Sequence, residues 1–331
     1  MEKAVVTGGG GFVGKAVVRM LLERGISVTV VGRNRYPDVE AMGAKSACGD
    51  IRHASFLDAV FQGHDTVFHV AAKAGIWGDF AEYYAVNVQG TENVLAACRK
   101  NGIRSLVYTS TPSVVFNRAD IHGIDEKAQY AREFLCHYAE TKVMAEKLVL
   151  AASSGSLLTT AIRPHLVWGP GDTNLIPRLL ARGRAGKLTQ VGEGTNLVDI
   201  SYIDNVAESH LLAADNLERS GSAAGRPYFI SQGEPVNLWK WINGLFVRLG
   251  IPRVEKKISF GKAYLLGALC EKIYGLLAIR REPPMTRFLA EQLAKSHWFS
   301  IANAEKDLGY RARISTAEGM DRLVCWLRER T

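Results

Sequence analysis

Features typical of several other protein classes are absent from this chain of 331 residues. Its five cysteines are scattered, with no Cys-x-x-Cys pair, which argues against a disulfide framework or structural zinc and favours free thiols in a reducing compartment. The eight histidines show no metal-ligand spacing, so we expect no metal. The formal net charge is +8, but 41 basic and 33 acidic residues are interspersed without a block of like charge, which disfavours a nucleic-acid partner.

The chain also lacks an uninterrupted apolar run long enough to cross a membrane. Its most apolar stretch, 258–279, is interrupted by Lys262, Glu271 and Lys272, so no transmembrane span is predicted. A lid over an acyl chain, an ordinary core helix and contact with a membrane surface stay open as interpretations of this stretch. The N-terminus begins directly with a predicted strand and not with a signal peptide, and we therefore expect a cytoplasmic protein.

Short apolar strands alternate with helices along the first half of the chain. A strand over 4–7 precedes a glycine-rich loop and a helix that Gly25 ends, and further strands are predicted over 27–31, 65–70 and 105–109. This alternation predicts an α/β fold, a Rossmann-type doubly wound parallel sheet, with a smaller and mostly helical C-terminal lobe. Ligands of such sheets lie beyond the carboxyl ends of the strands.

Two lobes that share a cleft are predicted, because no internal repeat and no low-complexity linker separates the chain into independent parts. The nucleotide-binding domain is predicted to comprise 1–165 and about 198–232. The substrate-binding lobe is predicted to comprise about 166–197 and 233–331. Two strands that return to the main sheet are predicted at 199–202 and 228–230.

The loop Thr7-Gly8-Gly9-Gly10-Gly11-Phe12-Val13-Gly14 lies between a predicted strand and a predicted helix, as a phosphate-binding turn requires. Gly8, Gly11 and Gly14 permit a tight turn and let the backbone approach a pyrophosphate at the helix N-terminus. A generic glycine-rich turn is the alternative. We predict that this loop, including Phe12 and Val13, binds a dinucleotide cofactor.

The end of the second strand distinguishes between the two nicotinamide cofactors. NAD-binding proteins usually carry an acidic residue there, whereas Val31-Gly32-Arg33-Asn34-Arg35 contains no carboxylate. Arg33 is placed to meet the 2′-phosphate of NADP through a charge-assisted contact, although an ordinary surface arginine would look the same. The sequence therefore predicts NADP(H).

Further candidates for cofactor contacts follow the strands. Asp50 and Ile51 could contact the adenine, and Asp50 could equally cap a helix. Ala71 and Ala72 are small where the backbone must run close to the cofactor. The amide of Asn87 could fasten neighbouring strands, or cap a helix.

Tyr138 and Lys142 lie one helical turn apart, so that a phenol and an ammonium project side by side. A free tyrosine has a pKa of about 10, and a nearby ammonium lowers that pKa by stabilising the phenolate. The pair could then deliver a proton to a carbonyl oxygen, while Lys142 also binds ribose hydroxyls; a surface i,i+4 pair is the alternative. Upstream, Ser110-Thr111-Pro112-Ser113 offers three hydroxyls that could polarise a carbonyl or simply form a turn.

Together these motifs resemble those of the extended short-chain dehydrogenases/reductases. The matching segments, which span essentially the whole chain, are Thr7-Gly8-x-x-Gly11-Phe12-x-Gly14, Asn87-Val88-x-Gly90-Thr91, Tyr138-x-x-x-Lys142, Arg163-Pro164, Trp168-Gly169-Pro170-Gly171-Asp172 and Tyr202-Ile203-Asp204-Asn205-Val206. The resemblance implies that Tyr138 is the acid, Lys142 its partner and Thr111 the hydroxyl that holds the substrate oxygen. Threonine there departs from the commoner serine, and Ser110 or Ser113 could share its role. The resemblance also implies cofactor contacts from Asn87, Tyr138, Lys142 and Pro164.

The C-terminal lobe resembles the 3β-hydroxysteroid dehydrogenase and sterol-4-carboxylate 3-dehydrogenase branch, through 282–287 and 308–310. A closer likeness, to the 2-alkyl-3-oxoalkanoate reductases of bacterial long-chain olefin biosynthesis, rests on 72–78, 109–114 and 288–293. It implies an oxidoreductase of lipid metabolism that reduces the 3-keto group of a long-chain 2-alkyl-3-oxoalkanoic acid, reversibly and with NADPH, to the 3-hydroxy acid.

Two alternatives remain: an NAD(P)-dependent 3β-hydroxysteroid or sterol-4-carboxylate 3-dehydrogenase, and a regulator that senses NADP without catalysis. Sugar-nucleotide dehydratases of this fold carry Asp-Glu where Pro112-Ser113 stands, so dehydration lacks its acid and base. Lys73 is the candidate for the substrate carboxylate, unless it is a solvated lysine, and Trp77 and Ser113 are further substrate candidates. The resemblance also leads us to expect a homodimer and assembly with other olefin-biosynthesis enzymes, and the apolar segment suggests peripheral membrane contact.

Overall fold

The computed structural model describes residues 1–330, in which strands and helices alternate along the first two thirds. The strands are β1 (Lys3–Thr7), β2 (Ser27–Gly32), β3 (Lys45–Cys48), β4 (Thr66–His69), β5 (Ser105–Thr109), β6 (Ile121–Ile124), β7 (Leu158–Pro164), β8 (Val167–Trp168), β9 (Gln190–Val191), β10 (Leu197–Val198), β11 (Ser201–Tyr202), β12 (Pro227–Ile230), β13 (Val236–Asn237), β14 (Lys257–Ile258) and β15 (His297–Phe299). The α-helices are α1 (Phe12–Glu23), α2 (Pro37–Ala41), α3 (Ala54–Phe61), α4 (Phe80–Tyr84), α5 (Gly90–Lys100), α6 (His137–Ala151), α7 (Leu175–Arg184), α8 (Ile203–Arg219), α9 (Leu238–Arg248), α10 (Phe260–Leu276), α11 (Arg287–Ala294) and α12 (Thr316–Arg328). A 3₁₀-helical turn occupies Pro112–Val115, and π-helical turns occupy Ala85–Gln89 and Ala304–Leu308.

A seven-stranded parallel sheet in the order β12-β7-β5-β4-β1-β2-β3 forms the centre of the molecule. From β1, the next strands along the chain lie on one side, out to β3, and the strands from β4 to β12 lie on the other side. The direction in which the chain adds strands therefore reverses between β1 and β4. Ligands of open α/β sheets bind at such a reversal, beyond the carboxyl ends of the strands. The predicted Rossmann-type architecture is confirmed.

Helices cover both faces of this sheet, which is why its strands are apolar on both sides. On one face α1 and α8 pack together, with Val17 and Val206 fully buried in the same core as Val6 of β1. On the other face α3, α5 and α6 lie against the alternate side chains, such as Val5 and Val67.

A smaller four-stranded sheet, in the order β13-β10-β15-β6, lies beside the main one. Its strand β6 comes from the first half of the chain and pairs in parallel with β15, a long-range pairing that the sequence did not predict. The assignment of 1–165 and about 198–232 to a nucleotide-binding domain, and of about 166–197 and 233–331 to a substrate-binding lobe, stays a prediction.

One of the two strands predicted to return to the main sheet does so, and the other prediction is wrong. The segment 228–230 lies in β12, beside β7. Of 199–202, only Ser201–Tyr202 forms a strand, which pairs with β8 in a separate two-stranded sheet. The hydroxyl of Ser201 donates to the carbonyl oxygens of His165 and Ile230, at 2.8 and 2.9 Å, and holds this segment across the ends of β7 and β12.

The apolar segment 258–279 forms α10, and most of its large apolar side chains are exposed to solvent. Ala263 and Gly267 are its buried residues, so the interpretation as an ordinary core helix is wrong. Within residues 1–330, no helix has the length and apolar character needed to cross a membrane.

Candidate active site

A cavity of about 760 Å³ lies beyond the carboxyl ends of β1, β2, β4 and β5. The glycine loop, the residues after these strands and one face of α6 line it. The predicted site residues in its wall are Gly8, Gly11, Phe12, Val13, Gly14, Arg33, Asp50, Ile51, Ala71, Ala72, Lys73, Ser110, Tyr138 and Lys142. The predicted residues that are not in its wall are Trp77, Asn87, Thr111, Ser113 and Pro164.

The glycine loop forms a tight backbone turn that leaves no room for side chains at Gly8 and Gly14. Gly8 has a φ of 71°, in the left-handed region, and its carbonyl oxygen accepts a hydrogen bond from the Gly11 amide at 2.9 Å. A Cβ atom on Gly14 would lie 2.2 Å from that same carbonyl oxygen. Gly11 directly precedes α1, whose first amides have no partner within the helix and carry a positive partial charge. These features fit the pyrophosphate of a dinucleotide.

The end of β2 is rich in positive charge. Arg33 follows the strand, is exposed and lines the cavity. Asp50 accepts two hydrogen bonds from the guanidinium of Arg52, at 3.0 and 2.7 Å. These bonds, with a smaller contribution from the charge of Arg33, lower the pKa of Asp50 against the opposing effect of burial. Asp50 is thus a paired carboxylate between two cations.

Two residues in this part of the cavity wall, Arg52 and Tyr36, were not predicted from the sequence. Arg52 stands in a segment of no regular pattern, and its position depends on the pairing of β3 with β2. The ring of Tyr36 packs on the glycine loop, where a Cβ atom on Gly10 would lie 2.2 Å from it.

Lys142 is buried, with an exposed fraction of 1%. Its ammonium donates a hydrogen bond to the carbonyl oxygen of Thr109 at 2.6 Å and lies 4.0 Å from the centroid of the Tyr108 ring. Burial lowers the pKa of Lys142 to about 7, although the carboxylate of Glu146 opposes this change.

Tyr138 is partly buried, and burial raises its pKa to about 12. The neighbouring thiol of Cys136 acts in the same direction, whereas the hydrogen bond with the side chain of Thr111 acts in the opposite one. The expectation that Lys142 lowers the pKa of Tyr138 is therefore wrong for this structure, because burial dominates and the ammonium is directed to Thr109. Tyr138 holds its proton at neutral pH, as an acid must.

The three hydroxyls after β5 have different surroundings. The Oγ1 of Thr111 donates to the Oγ of Ser113 at 3.2 Å and accepts from the Ser113 amide at 3.2 Å. The Oγ of Ser110 is buried and has no hydrogen-bond partner among residues 1–330. Ser110 is thus a residue of the cavity wall whose hydroxyl is buried and unpaired, while Thr111 contacts Tyr138.

Asn87 lies behind the cavity wall, with an exposed fraction of 2%. Its side-chain oxygen accepts from the amide of Lys73 at 2.7 Å, and its side-chain nitrogen donates to the carbonyl oxygen of Lys73 at 3.1 Å and to the hydroxyl of Thr141 at 3.0 Å. Asn87 therefore fastens the loop after β4 to α6, and not one strand to another.

Arg163 and Glu146 form an ion pair that is almost fully buried and that joins β7 to α6. Tyr130 donates a hydrogen bond to the same carboxylate at 2.7 Å. This network fastens α6 to β7. Pro164, the next residue of β7, does not line the cavity.

Lys73 and Trp77 lie on the loop that follows β4. The ammonium of Lys73 donates to the carboxylate of Glu82 at 2.8 Å, so it is not a freely solvated lysine. The indole of Trp77 donates to the carbonyl oxygen of Ile279 at 2.9 Å, just beyond α10. The loop thus connects the cavity wall to the end of α10.

The buried histidines take part in hydrogen bonds. His69 bridges the hydroxyls of Thr7 and Thr91, at 2.7 and 2.9 Å, and burial lowers its pKa to about 3. His165 and His297 bond to each other at 2.6 Å. Within residues 1–330, no group of three or more His, Cys, Asp and Glu side chains is arranged to hold a metal ion.

The chain is similar to several known proteins. The 3-beta hydroxysteroid dehydrogenase/isomerase family model matches residues 5–260. The 2-alkyl-3-oxoalkanoate reductase of Stenotrophomonas maltophilia (strain K279a) is 48% identical, covering 97% of this chain and 98% of its own. The decarboxylating sterol-4-alpha-carboxylate 3-dehydrogenase of Mus musculus is 33% identical, covering 98% and 90%. The structure of MoeE5 in complex with UDP-glucose and NAD has a TM-score of 0.77 and 25% identity, covering 99% of both chains.

Proposed function

Since this chain belongs to the 3-beta hydroxysteroid dehydrogenase/isomerase family, we propose that it reduces the 3-keto group of a long-chain 2-alkyl-3-oxoalkanoic acid to the 3-hydroxy acid with NADPH. It is an oxidoreductase of the short-chain dehydrogenase/reductase type that uses a nicotinamide cofactor. The proposal rests on one observation: the glycine loop, Tyr138 and Lys142 line the same cavity. The substrate class follows from the similarity to the bacterial reductase.

Several residues are suited to hold the cofactor. Gly8, Gly11 and Gly14 leave room for the pyrophosphate at the start of α1, and Arg33 would pair with the 2′-phosphate. When bound, the reduced nicotinamide supplies a hydride to carbon 3 of the keto acid.

The proton comes from the protein. Tyr138 donates its phenolic proton to the carbonyl oxygen as that oxygen becomes an alkoxide, and its raised pKa ensures that the proton is present at neutral pH. Thr111, in contact with Tyr138, steadies the same oxygen with its hydroxyl. Lys142 returns a proton to the phenolate, since an ammonium with a pKa of about 7 releases its proton readily at neutral pH.

The unpaired hydroxyl of Ser110 is the second candidate for the contact with the substrate oxygen. Lys73 would release Glu82 and pair with the substrate carboxylate instead. Trp77 and Ser113 would contact the rest of the substrate. We further propose a cytoplasmic location, a homodimer and assembly with other enzymes of long-chain olefin biosynthesis.

A second candidate function is the oxidation of a 3β-hydroxysteroid or a sterol-4-carboxylic acid with NAD(P). The similarity to the mouse sterol dehydrogenase favours it, at a lower identity than that to the bacterial reductase. The same catalytic groups would serve in reverse, because Tyr138 as a phenolate would accept the proton of the hydroxyl group.

Nicotinamide absorbance measured with the purified protein tests the proposal. The substrates are a long-chain 2-alkyl-3-oxo acid with NADPH, its more stable 3-hydroxy acid with NADP, and a 3β-hydroxysteroid with NAD and with NADP. We expect turnover of the first pair of substrates, with NADP(H) preferred to NAD(H). Turnover of the steroid alone would support the second candidate function and contradict the first. No turnover of any substrate would contradict both candidate functions.

A further inference from the structure

Helix α10 presents an apolar face to solvent. Of the nine large apolar side chains that are exposed within residues 1–330, six lie on this helix or directly after it. They are Leu265, Leu266, Leu269, Ile273, Leu276 and Leu277, and we call them the leucine face. Leu265 is 71% and Leu276 is 77% exposed. Protein surfaces commonly carry such residues singly, and a contiguous group marks an interaction site.

The opposite side of α10 is fixed against the rest of the lobe. A Cβ atom on Gly267 would lie 2.6 Å from the backbone of Thr286, so the two segments are in close contact. The carboxylate of Glu271 accepts from the amide and the guanidinium of Arg287, at 2.7 and 2.6 Å. Because these contacts hold the helix in this orientation, the leucine face stays directed outward.

Cations outnumber carboxylates in α10 and the segments next to it, and two of these cations lie on the leucine face. Residues 256–281 contain six cations and a single carboxylate, that of Glu271, which Arg287 already engages. Lys262 and Lys272 lie within the same arc of the helix as the leucine face, about 140° at 100° per residue. Neither lysine forms an ion pair with a carboxylate in the described part of the chain.

This combination complements an anionic lipid surface better than it complements a second copy of the chain. An apolar helix face flanked by lysines and arginines enters the boundary between headgroups and acyl chains, and its cations pair with anionic headgroups. Two leucine faces brought together would place cations opposite cations without a free carboxylate between them.

The C-terminal end of α10 contacts the loop that follows β4. The indole of Trp77 bonds to the carbonyl oxygen of Ile279, and its ring meets Tyr274 edge-on, with centroids 6.3 Å apart. The loop that carries Trp77 follows β4, and its first five residues, 70–74, line the cavity. The leucine face and the catalytic cavity are therefore connected by one short loop.

We propose that the leucine face docks the protein on the surface of a membrane that contains anionic lipids, with its C-terminal end beside the loop that leads from the cavity wall to Trp77. A long-chain substrate then passes between the lipid phase and the cavity without crossing water. The membrane is touched by one helix and is not crossed. The docking stands on the geometry alone, whereas the passage of substrate rests on the proposed function.

Vesicle sedimentation with the full-length chain tests the docking. Vesicles of phosphatidylcholine alone are compared with vesicles that also contain phosphatidylglycerol, at low and high salt. The wild type is expected to bind the anionic vesicles, and salt is expected to weaken the binding. The double variant Leu265→Ser/Leu276→Ser should bind at least about tenfold less. The matched control is Met42→Ser/Val247→Ser, which removes two exposed apolar side chains outside α10 and should bind like the wild type.

A second pair of variants tests the charge. Lys262→Gln/Lys272→Gln should lower binding to anionic vesicles by about fivefold for each lysine removed. Lys147→Gln removes an exposed lysine of α6, away from the leucine face, and should leave binding unchanged. Circular dichroism checks that each variant is folded.

Three results would overturn the docking: no binding of the wild type to anionic vesicles, equal binding by the leucine variant, or a dimer in solution that this variant abolishes in the absence of vesicle binding. The last result would assign the face to a second copy. Turnover of a short-chain, water-soluble 2-alkyl-3-oxo acid without vesicles separates the two proposals. Absence of turnover in the wild type both for this substrate and for the long-chain keto acid dispersed in neutral detergent would contradict the proposed function and leave the vesicle result standing.

Discussion

The ammonium of Lys142 donates a hydrogen bond to the carbonyl oxygen of Thr109, 2.6 Å away, at the carboxyl end of β5. This bond joins α6 to the end of the sheet, next to the cavity. Burial gives Lys142 a pKa of about 7 and the neighbouring Tyr138 a pKa of about 12. At neutral pH the phenol is therefore a protonated acid, and the lysine can both hold and release a proton.

The pKa of Lys142 predicts how stability depends on pH. The unfolded chain keeps this proton up to the ordinary value of 10.5, whereas the folded protein releases it near 7. Between these values the unfolded state binds more protons, so this residue makes the free energy of unfolding rise with pH, by about 1.4 kcal/mol per unit. Below pH 7 its contribution is constant.

The variant Lys142→Met removes that contribution. In urea denaturation between about pH 7 and 10, the free energy of unfolding of the wild type should rise relative to that of the variant. Lys147→Met, at an exposed position of the same helix, should run parallel to the wild type. A constant difference between wild type and Lys142→Met over this range would contradict the shifted pKa.

The sequence could predict the parts of the fold that depend on local pattern. The strand, glycine loop and helix from β1 to α1 follow from an apolar run, three glycines and a helical period, and the structure has them within one or two residues. Tyr138 and Lys142 were found because a spacing of four residues on a helix needs no knowledge of the tertiary fold.

The rest depends on contacts between distant segments. The direction of the Lys142 ammonium is set by Thr109 and Tyr108, and burial there outweighs the pairing with Tyr138 that the spacing alone suggested. The pairing of β6 with β15 joins segments about 175 residues apart, which no local pattern records. Arg52 enters the cavity wall only because β3 pairs with β2.

Gly14 lies where a side chain would displace the cofactor loop. A Cβ atom there would be 2.2 Å from the Gly8 carbonyl oxygen and 2.8 Å from the Cα of Gly9. We expect Gly14→Ala to lower the free energy of unfolding by about 1 to 3 kcal/mol and to weaken NADPH binding at least about tenfold. Calorimetric titration and thermal unfolding measure the two effects. Gly244→Ala, in α9 with no atom within 4 Å of the new methyl group, should stabilise the protein slightly; equal behaviour of the two variants would contradict the close approach.

Arg33 should determine the preference for NADPH over NADH. Because its side chain is exposed, a charge-assisted contact with the 2′-phosphate is worth less than a buried one, and Arg33→Ser should raise the KM for NADPH about tenfold. The KM for NADH should hardly change. Arg35→Ser is the control, because Arg35 pairs with Glu40 at 3.4 Å and does not line the cavity. An equal effect on both cofactors would refute the assignment.

The roles of Thr111 and Ser110 can be separated by kinetics. Thr111→Val keeps the shape of the side chain and loses the hydroxyl that contacts Tyr138, so kcat should fall about a hundredfold, and Thr111→Ser should restore most of it. Ser110→Ala should change kcat by less than about fivefold on the same account. If Ser110→Ala caused the larger loss, the unpaired hydroxyl of Ser110 would be the group that holds the substrate oxygen.

If Tyr138 supplies the proton and the cavity binds the cofactor independently of it, replacing Tyr138 separates catalysis from cofactor binding. The most direct test compares the wild type with Tyr138→Phe for two quantities, kcat with NADPH and a 2-alkyl-3-oxo acid, and the Kd of NADPH. Tyr84→Phe, on neighbouring α4, serves as the control for loss of a phenol. We expect kcat to fall about 10²- to 10⁴-fold in Tyr138→Phe while the Kd changes less than about twofold. A kcat close to that of the wild type would contradict it.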